Sequence, residues 1–173
     1  MSLTLPGAPE AGFAAKSEAV RRRMLRPLPF WAWQWKTLPL AAFAGMRLRS
    51  LDEASCTVFL PGGWRTQNPF RSTYFAAQAM AAEMSTGGPA MVLVAGAPTS
   101  VALLVTGFRA VYKKKLVGDA LFKFAEVGAM RAVVDEAAAG PEPREYVARS
   151  LARDPSGEVC SEFEVTWSFK RRG

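Results

Sequence analysis

The stretch Ser72-Thr73-Tyr74-Phe75-Ala76-Ala77-Gln78-Ala79-Met80-Ala81-Ala82-Glu83-Met84 decides the fold. After Thr73 it has no β-branched residue, it is dense in alanine, and it runs into Thr86-Gly87-Gly88-Pro89. It therefore reads as a helix that stops at those glycines. Apolar residues occupy almost its whole circumference, which demands burial on more than one side. The alanines also make it thin, and a thin apolar rod suits a sheet that wraps closely around it.

Outward from this helix the hydrophobic period changes. Upstream, residues 46–51 and 55–60 read as strands joined by a turn at Asp52-Glu53-Ala54, and Pro61-Gly62-Gly63 closes the hairpin. Downstream, residues 84–108 are uncharged over a length that would cross a bilayer, but Gly87, Gly88, Pro89, Gly96 and Pro98 break the run. The better reading is a helix end, a short linker and a strand over 100–108, whose apolar residues at both parities predict cover on both faces. A strand over 121–125, a helix over 128–139, a strand over 144–153 and a turn at Asp154-Pro155-Ser156-Gly157 follow. The last strand alternates, with Phe163, Val165, Trp167 and Phe169 on one face and Glu162, Glu164, Thr166 and Ser168 on the other. The order predicts an α+β fold in which an antiparallel sheet of five to six strands wraps around a central helix, after an N-terminal helical lead-in.

The lead-in divides in two. Residues 1–16 are rich in Ala, Gly and Pro and read as loose, and Ser17 reads as the N-cap of a helix that ends at Arg26, ahead of Pro27 and Pro29. The expected organisation is a flexible N-terminus with a short helix over 1–27 and one domain over 28–173. Phe30-Trp31-Ala32-Trp33-Gln34-Trp35-Lys36, the most aromatic stretch, stands beside Arg21, Arg22, Arg23 and Arg26. Such a segment either anchors at a membrane surface or is a short helix whose tryptophans cover the end of the sheet. The second reading is the expectation.

Composition removes whole classes of chemistry. The 173 residues are 50% hydrophobic and 21% charged, which suits a folded single domain, and none is histidine. Ser-His-Asp and Cys-His nucleophile systems, histidine zinc sites and a histidine base are excluded, and no metal is expected. Cys56 and Cys160 lie among strand-like residues and read as buried free thiols, so a reducing cytoplasm is the expected compartment. Net charge is 22 − 15 = +7, concentrated in the first two-thirds of the chain. A basic surplus attracts nucleic acid, anionic lipid or a phosphorylated small molecule, but no reading helix or stacking sheet for nucleic acid is recognisable.

Between Ala54 and Gly118 the only carboxylate is Glu83, on the otherwise apolar helix. Burial raises a carboxylate's pKa and makes it a better base near neutrality, whereas a glutamate in a last helical turn simply reaches solvent. The polar loop Arg65-Thr66-Gln67-Asn68-Pro69-Phe70-Arg71-Ser72 leads straight into this helix, with Asn68 fifteen residues before Glu83.

From this loop through Glu83 the chain resembles the active-site segment of hotdog-fold acyl-CoA thioesterases. Asn68-Pro69-Phe70-Arg71-Ser72-Thr73-Tyr74-Phe75, the stretch over 108–115 and the closing strand over 163–170 look like an uncharacterised bacterial branch of that superfamily. The resemblance spans roughly residues 28 to 171. It implies a hotdog fold and a homodimer, or a tetramer of two dimers, with acyl-CoA bound where subunits meet and no cofactor beyond the coenzyme A of the substrate. Glu83 would be the general base or the nucleophile, Asn68 would orient water or the thioester carbonyl, and the backbone N–H of Phe75 would hold the oxyanion. Arg71 and Tyr74 would touch substrate, and Lys113, Lys114 and Lys115 would meet the coenzyme A phosphates unless they form a solvated strand edge. Where active members usually carry His-Gly-Gly at the start of the helix, this chain has Tyr74-Phe75-Ala76. That departure makes an acyl or acyl-CoA binding protein without turnover the alternative.

Overall fold

The computed structural model describes residues 12–173; the loose reading of residues 1–11 lies outside them. Three helices open the chain, α1 (Ala15–Leu25), α2 (Pro27–Thr37) and α3 (Pro39–Ala44). Strands β1 (Arg47–Leu51) and β2 (Cys56–Leu60) follow, then α4 (Phe75–Gly96), β3 (Val101–Tyr112), β4 (Ala120–Phe124), α5 (Val127–Ala139), β5 (Arg144–Arg153) and β6 (Val159–Arg171). The six strands form one antiparallel sheet in the order β1-β2-β4-β5-β6-β3. This is the expected element order, with α5 between the second and third of the four later strands. Among the described residues no helix is long and apolar enough to cross a membrane.

The core lies between the sheet and α4. Cys56, Val58, Leu60, Phe122, Ala152 and Phe163 point inward against Ala77, Ala81 and Ala82 of the helix. Because those helix residues are alanines, the sheet closes on α4 as on a thin rod. Beyond it, α5 turns Val127, Met130, Val134 and Ala137 onto Phe124, Ala148, Val165, Trp167 and Phe169, which extends the core along the same face. The alternation read in the last strand is thus the inward face of β6. Cys56 and Cys160 are buried and unpaired, and burial pushes the Cys56 thiol well above its ordinary range.

Four expectations need correction. The central helix does not stop at Gly87-Gly88-Pro89 but runs for 22 residues to Gly96. Thr86, Gly87, Gly88, Pro89 and Ala90 are all buried there, so packing on every side overrides weak propensity and the N–H that Pro89 lacks. Ser17 is not a cap: Ala14 holds that place, and the buried Ser17 hydroxyl donates to the Val92 carbonyl of α4 at 2.6 Å. Gly96 makes this close helix crossing possible, since a Cβ there would lie 2.1 Å from Ser17 Oγ. Strand β3 is longer than expected and neither of its faces is sealed, because it is the last strand of the sheet; Leu104 is 66% exposed. Finally, the tryptophans of α2 do not cover a sheet end: Trp33 packs inward beside Phe30, while Trp31 and Trp35 face outward.

Candidate active site

Buried polar contacts set the rotation of α4 about its axis. Gln78 accepts from Ser161 Oγ at 2.7 Å, Ser85 and Ser150 share a hydrogen bond at 2.7 Å, and Trp167 Nε1 donates to Thr86 Oγ1 at 3.0 Å. These three bonds tie one side of the helix to β5 and β6. Glu83 lies two residues before Ser85, and so about 160° around the helix from it, on the side of α4 that borders β3 and α2. It is the ninth of the 22 helical residues rather than a last-turn residue, and its side chain is part-buried.

Two hollows meet at the Glu83 side chain. On one side an open apolar groove of about 620 Å³ runs between α4 and β3, lined by Phe75, Ala76, Met80 and Glu83 and by Phe108 and Tyr112. On the other a smaller cavity of about 220 Å³ lies under α2, walled by Phe30, Trp33, Met84, Gly87 and Met91. Desolvation between them pushes the Glu83 carboxyl above the usual carboxylate range, and no other cause contributes. It forms no ion pair among the described residues. A carboxylate held in apolar surroundings without a fixed partner is free to accept a proton from water or to attack a carbonyl carbon.

Phe75 is the first residue of α4, and its N-cap Tyr74 makes no side-chain capping bond. The first N–H groups of a helix have no intrahelical acceptor and carry the positive end of the helix dipole, and Phe75 and Ala76 at this end line the groove. The Tyr112 hydroxyl reaches toward the Phe75 carbonyl at 3.5 Å, and burial pushes its pKa up, so it stays protonated. Phe75 and Glu83 share the groove, but eight residues of rise separate them by about 12 Å. One copy of the chain does not bring both to the same carbonyl.

The loop before α4 is tied down at several points. Tyr74 N–H donates to the Thr66 carbonyl at 2.7 Å, Thr73 N–H to Leu116 at 2.8 Å, and Thr66 Oγ1 to Pro61 at 2.8 Å. Within it the Asn68 side chain closes a turn. Its Oδ1 accepts from the N–H groups of Phe70 and Ser72 at 3.0 and 3.1 Å, and its Nδ2 donates to Ser72 Oγ at 3.0 Å. Asn68 lines neither hollow beside Glu83 of its own chain. Arg71, near the end of the same turn, has a left-handed backbone with φ 58°, and its exposed side chain does not line the groove.

No family model matches the chain, and no curated protein matches it. Solved structures do. A probable thioesterase of unknown function from Pseudomonas aeruginosa superposes at TM-score 0.70 with 16% identity, over 94% of this chain and 100% of that one. A protein of unknown function from Chlorobaculum tepidum gives TM-score 0.70 and 13% identity over 86% and 99% of the two chains. A thioesterase from Haemophilus influenzae gives TM-score 0.60 and 13% identity over 80% and 87%. The chain has the hotdog fold.

On this hotdog frame the three lysines after β3 divide. Lys113 pairs with Glu162, and Lys114 with Asp154 and Glu158, which hold its ammonium well above the ordinary range. The N–H groups of Lys113 and Lys114 both donate to the Cys160 carbonyl, so the run is pinned to the end of β6. Lys115 is exposed and forms no ion pair among the described residues, as is true of Arg71. Reasoning from sequence missed Tyr112, Met80 and the polar contacts that orient the helix. The signal for the first was its place at the end of a long edge strand, and for the last the rarity of Gln, Ser and Thr in an apolar helix.

Proposed function

We propose that the protein is a thioesterase that hydrolyses acyl-CoA or a related acyl thioester, at a site completed by a second copy of the chain. The observation that carries this reading is the part-buried Glu83 carboxylate, unpartnered among the described residues, in the floor of an apolar groove that ends at an uncapped helix N-terminus. The groove takes the acyl chain. Glu83 of one copy removes a proton from water as its oxygen attacks the thioester carbon, and the Phe75 N–H of the other copy donates to the oxyanion. Collapse of the tetrahedral intermediate breaks the C–S bond, and the proton held by Glu83 passes to the leaving thiolate. The alternative route, attack by the carboxylate itself, gives a mixed anhydride that water then opens. Asn68 orients the water or carbonyl across the subunit seam, Tyr74 borders the groove mouth, and Arg71 and Lys115 are the open cations for coenzyme A phosphates, with Lys113 and Lys114 behind them.

A second reading, retention of an acyl ligand without turnover, has its own observation. The Tyr74 and Phe75 rings stack edge-on at 4.8 Å and Phe75 is 56% exposed at the helix start, where bulk restricts approach to the backbone N–H. Thiol release measured across acyl-CoA chain lengths separates the two. Turnover that Glu83→Ala reduces at least about a hundredfold supports hydrolysis through this base. Undiminished turnover in that variant rejects the assignment, and ligand retention without any thiol release establishes the binding protein.

A further inference from the structure

The first three helices carry a surface that the proposed chemistry does not use. On α2, Phe30 and Gln34 point inward, which leaves Leu28, Trp31 and Trp35 on the opposite face at i, i+3 and i+7. Leu28 is 79% exposed, Trp31 56% and Trp35 46%, and the two indoles meet edge-on at 6.2 Å. The chain continues through exposed Leu38 into α3, where Leu40 and Phe43 face outward, and Phe43 stacks on the exposed Trp64 at 5.6 Å. A soluble surface has no reason to display this many large apolar side chains on consecutive short helices.

The charge around them has one sign. From Ala19 to Leu51 there is no carboxylate, while Arg21, Arg22, Arg23, Arg26, Lys36, Arg47 and Arg49 all fall in that span. Arg22, Arg23 and Arg26 rim an open hollow of about 600 Å³ that reaches Pro29 at the start of α2, and Lys36 is exposed on the last turn of the same helix. Glu18 also borders the hollow, but it is already paired with Arg21 and Arg22, which hold its carboxyl down to about 2. Arg23, Arg26 and Lys36 have no ion-pair partner among the described residues.

We propose that the α1–α2–α3 face docks on an anionic lipid bilayer. Leu28, Trp31 and Trp35 enter the headgroup region with Leu40, and lipid phosphates occupy the arginine-rimmed hollow. Indoles favour that depth because one edge is polar and the body apolar, and guanidinium groups bind phosphate in a forked geometry. A second copy of the chain fits less well. A two-fold contact through this face would set arginines against arginines with no carboxylate between Ala19 and Leu51 to neutralise them. Docking here would hold the protein at a surface where long acyl chains partition, without inserting a helix across it.

The full chain is tested by sedimentation with vesicles of phosphatidylcholine, with and without phosphatidylglycerol. Binding only to the anionic vesicles, its release by high salt, and quenching of wild-type tryptophan emission by bromine-labelled lipid are the expected results. Trp31→Ala with Trp35→Ala, and separately Arg22→Glu with Arg23→Glu and Arg26→Glu, each lower the vesicle partition coefficient about tenfold or more, given roughly fivefold per basic residue. The circular dichroism of both variants and their turnover of a soluble thioester stay at the wild-type level. Absence of wild-type binding to anionic vesicles overturns the proposal, as does binding untouched by both variants. It is equally overturned if the tryptophan variant changes the sedimenting mass, which would make the face a contact between copies. Loss of acyl-CoA affinity rather than lipid binding in the arginine variant would reassign the hollow to coenzyme A.

Discussion

A Cβ built on Gly87 would lie 2.8 Å from Glu83 Oε1 and 3.0 Å from the Trp167 ring. The missing side chain therefore keeps the carboxylate in its place between two hollows, one turn of helix from the residue that makes room for it. Gly87→Ala gains helix propensity, about 0.5–1 kcal/mol, but must displace either an indole fixed by Thr86 or the Glu83 carboxylate. Overpacking of this kind costs about 1–3 kcal/mol. The carboxylate is the movable partner, so thioester turnover should fall about tenfold or more while the melting temperature drops only slightly. Paired kinetic and calorimetric measurements check this, and unchanged kcat would show that Glu83 need not sit where Gly87 lets it.

The desolvation of Glu83 gives opposite signs for rate and stability. As a base it works only when ionised, so kcat/KM should rise with pH through a midpoint above the ordinary carboxylate range. A folded-state pKa raised above the unfolded value means that the group's stabilising contribution is complete below the unfolded pKa and is lost as pH rises through the folded one. Glu83→Gln should therefore abolish turnover yet melt higher than the wild type at neutral and alkaline pH, with the two melting temperatures converging in acid. Thermal scans across pH, alongside thiol release, are the measurement. A glutamine variant that melts lower at alkaline pH would show that the carboxylate has a stabilising partner.

Ser85 and Ser150 form a fully buried hydroxyl pair across the core, and Ser85 also donates to the Ala82 carbonyl at 2.8 Å. Ser150→Ala removes one partner, and Ser85 still keeps its backbone acceptor. Ser85→Ala strands the Ser150 hydroxyl, which costs about 1–3 kcal/mol. The double variant should be less destabilised than the sum of the singles, because no hydroxyl is then left orphaned. Urea unfolding of the four proteins tests this. Additive losses would mean that the pair contributes nothing as a pair.

The strands were legible because their signals are local. The period of two in Phe163-Glu164-Val165-Thr166-Trp167 gave β6 and its inward face, and Asp52 and Asp154 cap the turns where they were expected, each accepting backbone N–H groups through Oδ1. The end of α4 was not legible. Gly87-Gly88-Pro89 is a stop by propensity, and only the packing of Trp167, Met24 and Cys56 against those glycines makes continuing the helix the lower-energy course. Ser17 failed as a cap for the same kind of reason, since its acceptor lies 75 residues away in sequence. At the site, Glu83 stood out by its isolation in the sequence. The use of Asn68 within its own turn did not, because an asparagine before proline carries the same letters whether its amide faces substrate or the backbone.

Strand β3 pairs with β6 along its whole length and leaves its other edge open, with Leu104, Phe108, Val111 and Tyr112 all exposed. Twelve residues of unpaired, largely apolar strand form a template for another strand, and β3 has no proline and only Arg109 as a charge to block it. Pairing of β3 with its own copy would seal that edge, roof the groove beside Phe108, and bring the helix start of one chain toward Glu83 of the other. Under the proposed two-copy mechanism, the separation of about 12 Å between Phe75 and Glu83 within one chain makes this pairing a condition of catalysis. Leu104→Lys with Val111→Lys sets like charges across the seam while leaving the groove lining intact. Sedimentation velocity should give a dimer for the wild type and a monomer for the variant, with circular dichroism preserved and turnover lowered about tenfold or more through loss of the oxyanion donor. A monomeric variant with full activity would place the base and the oxyanion site within one chain and end the two-copy mechanism.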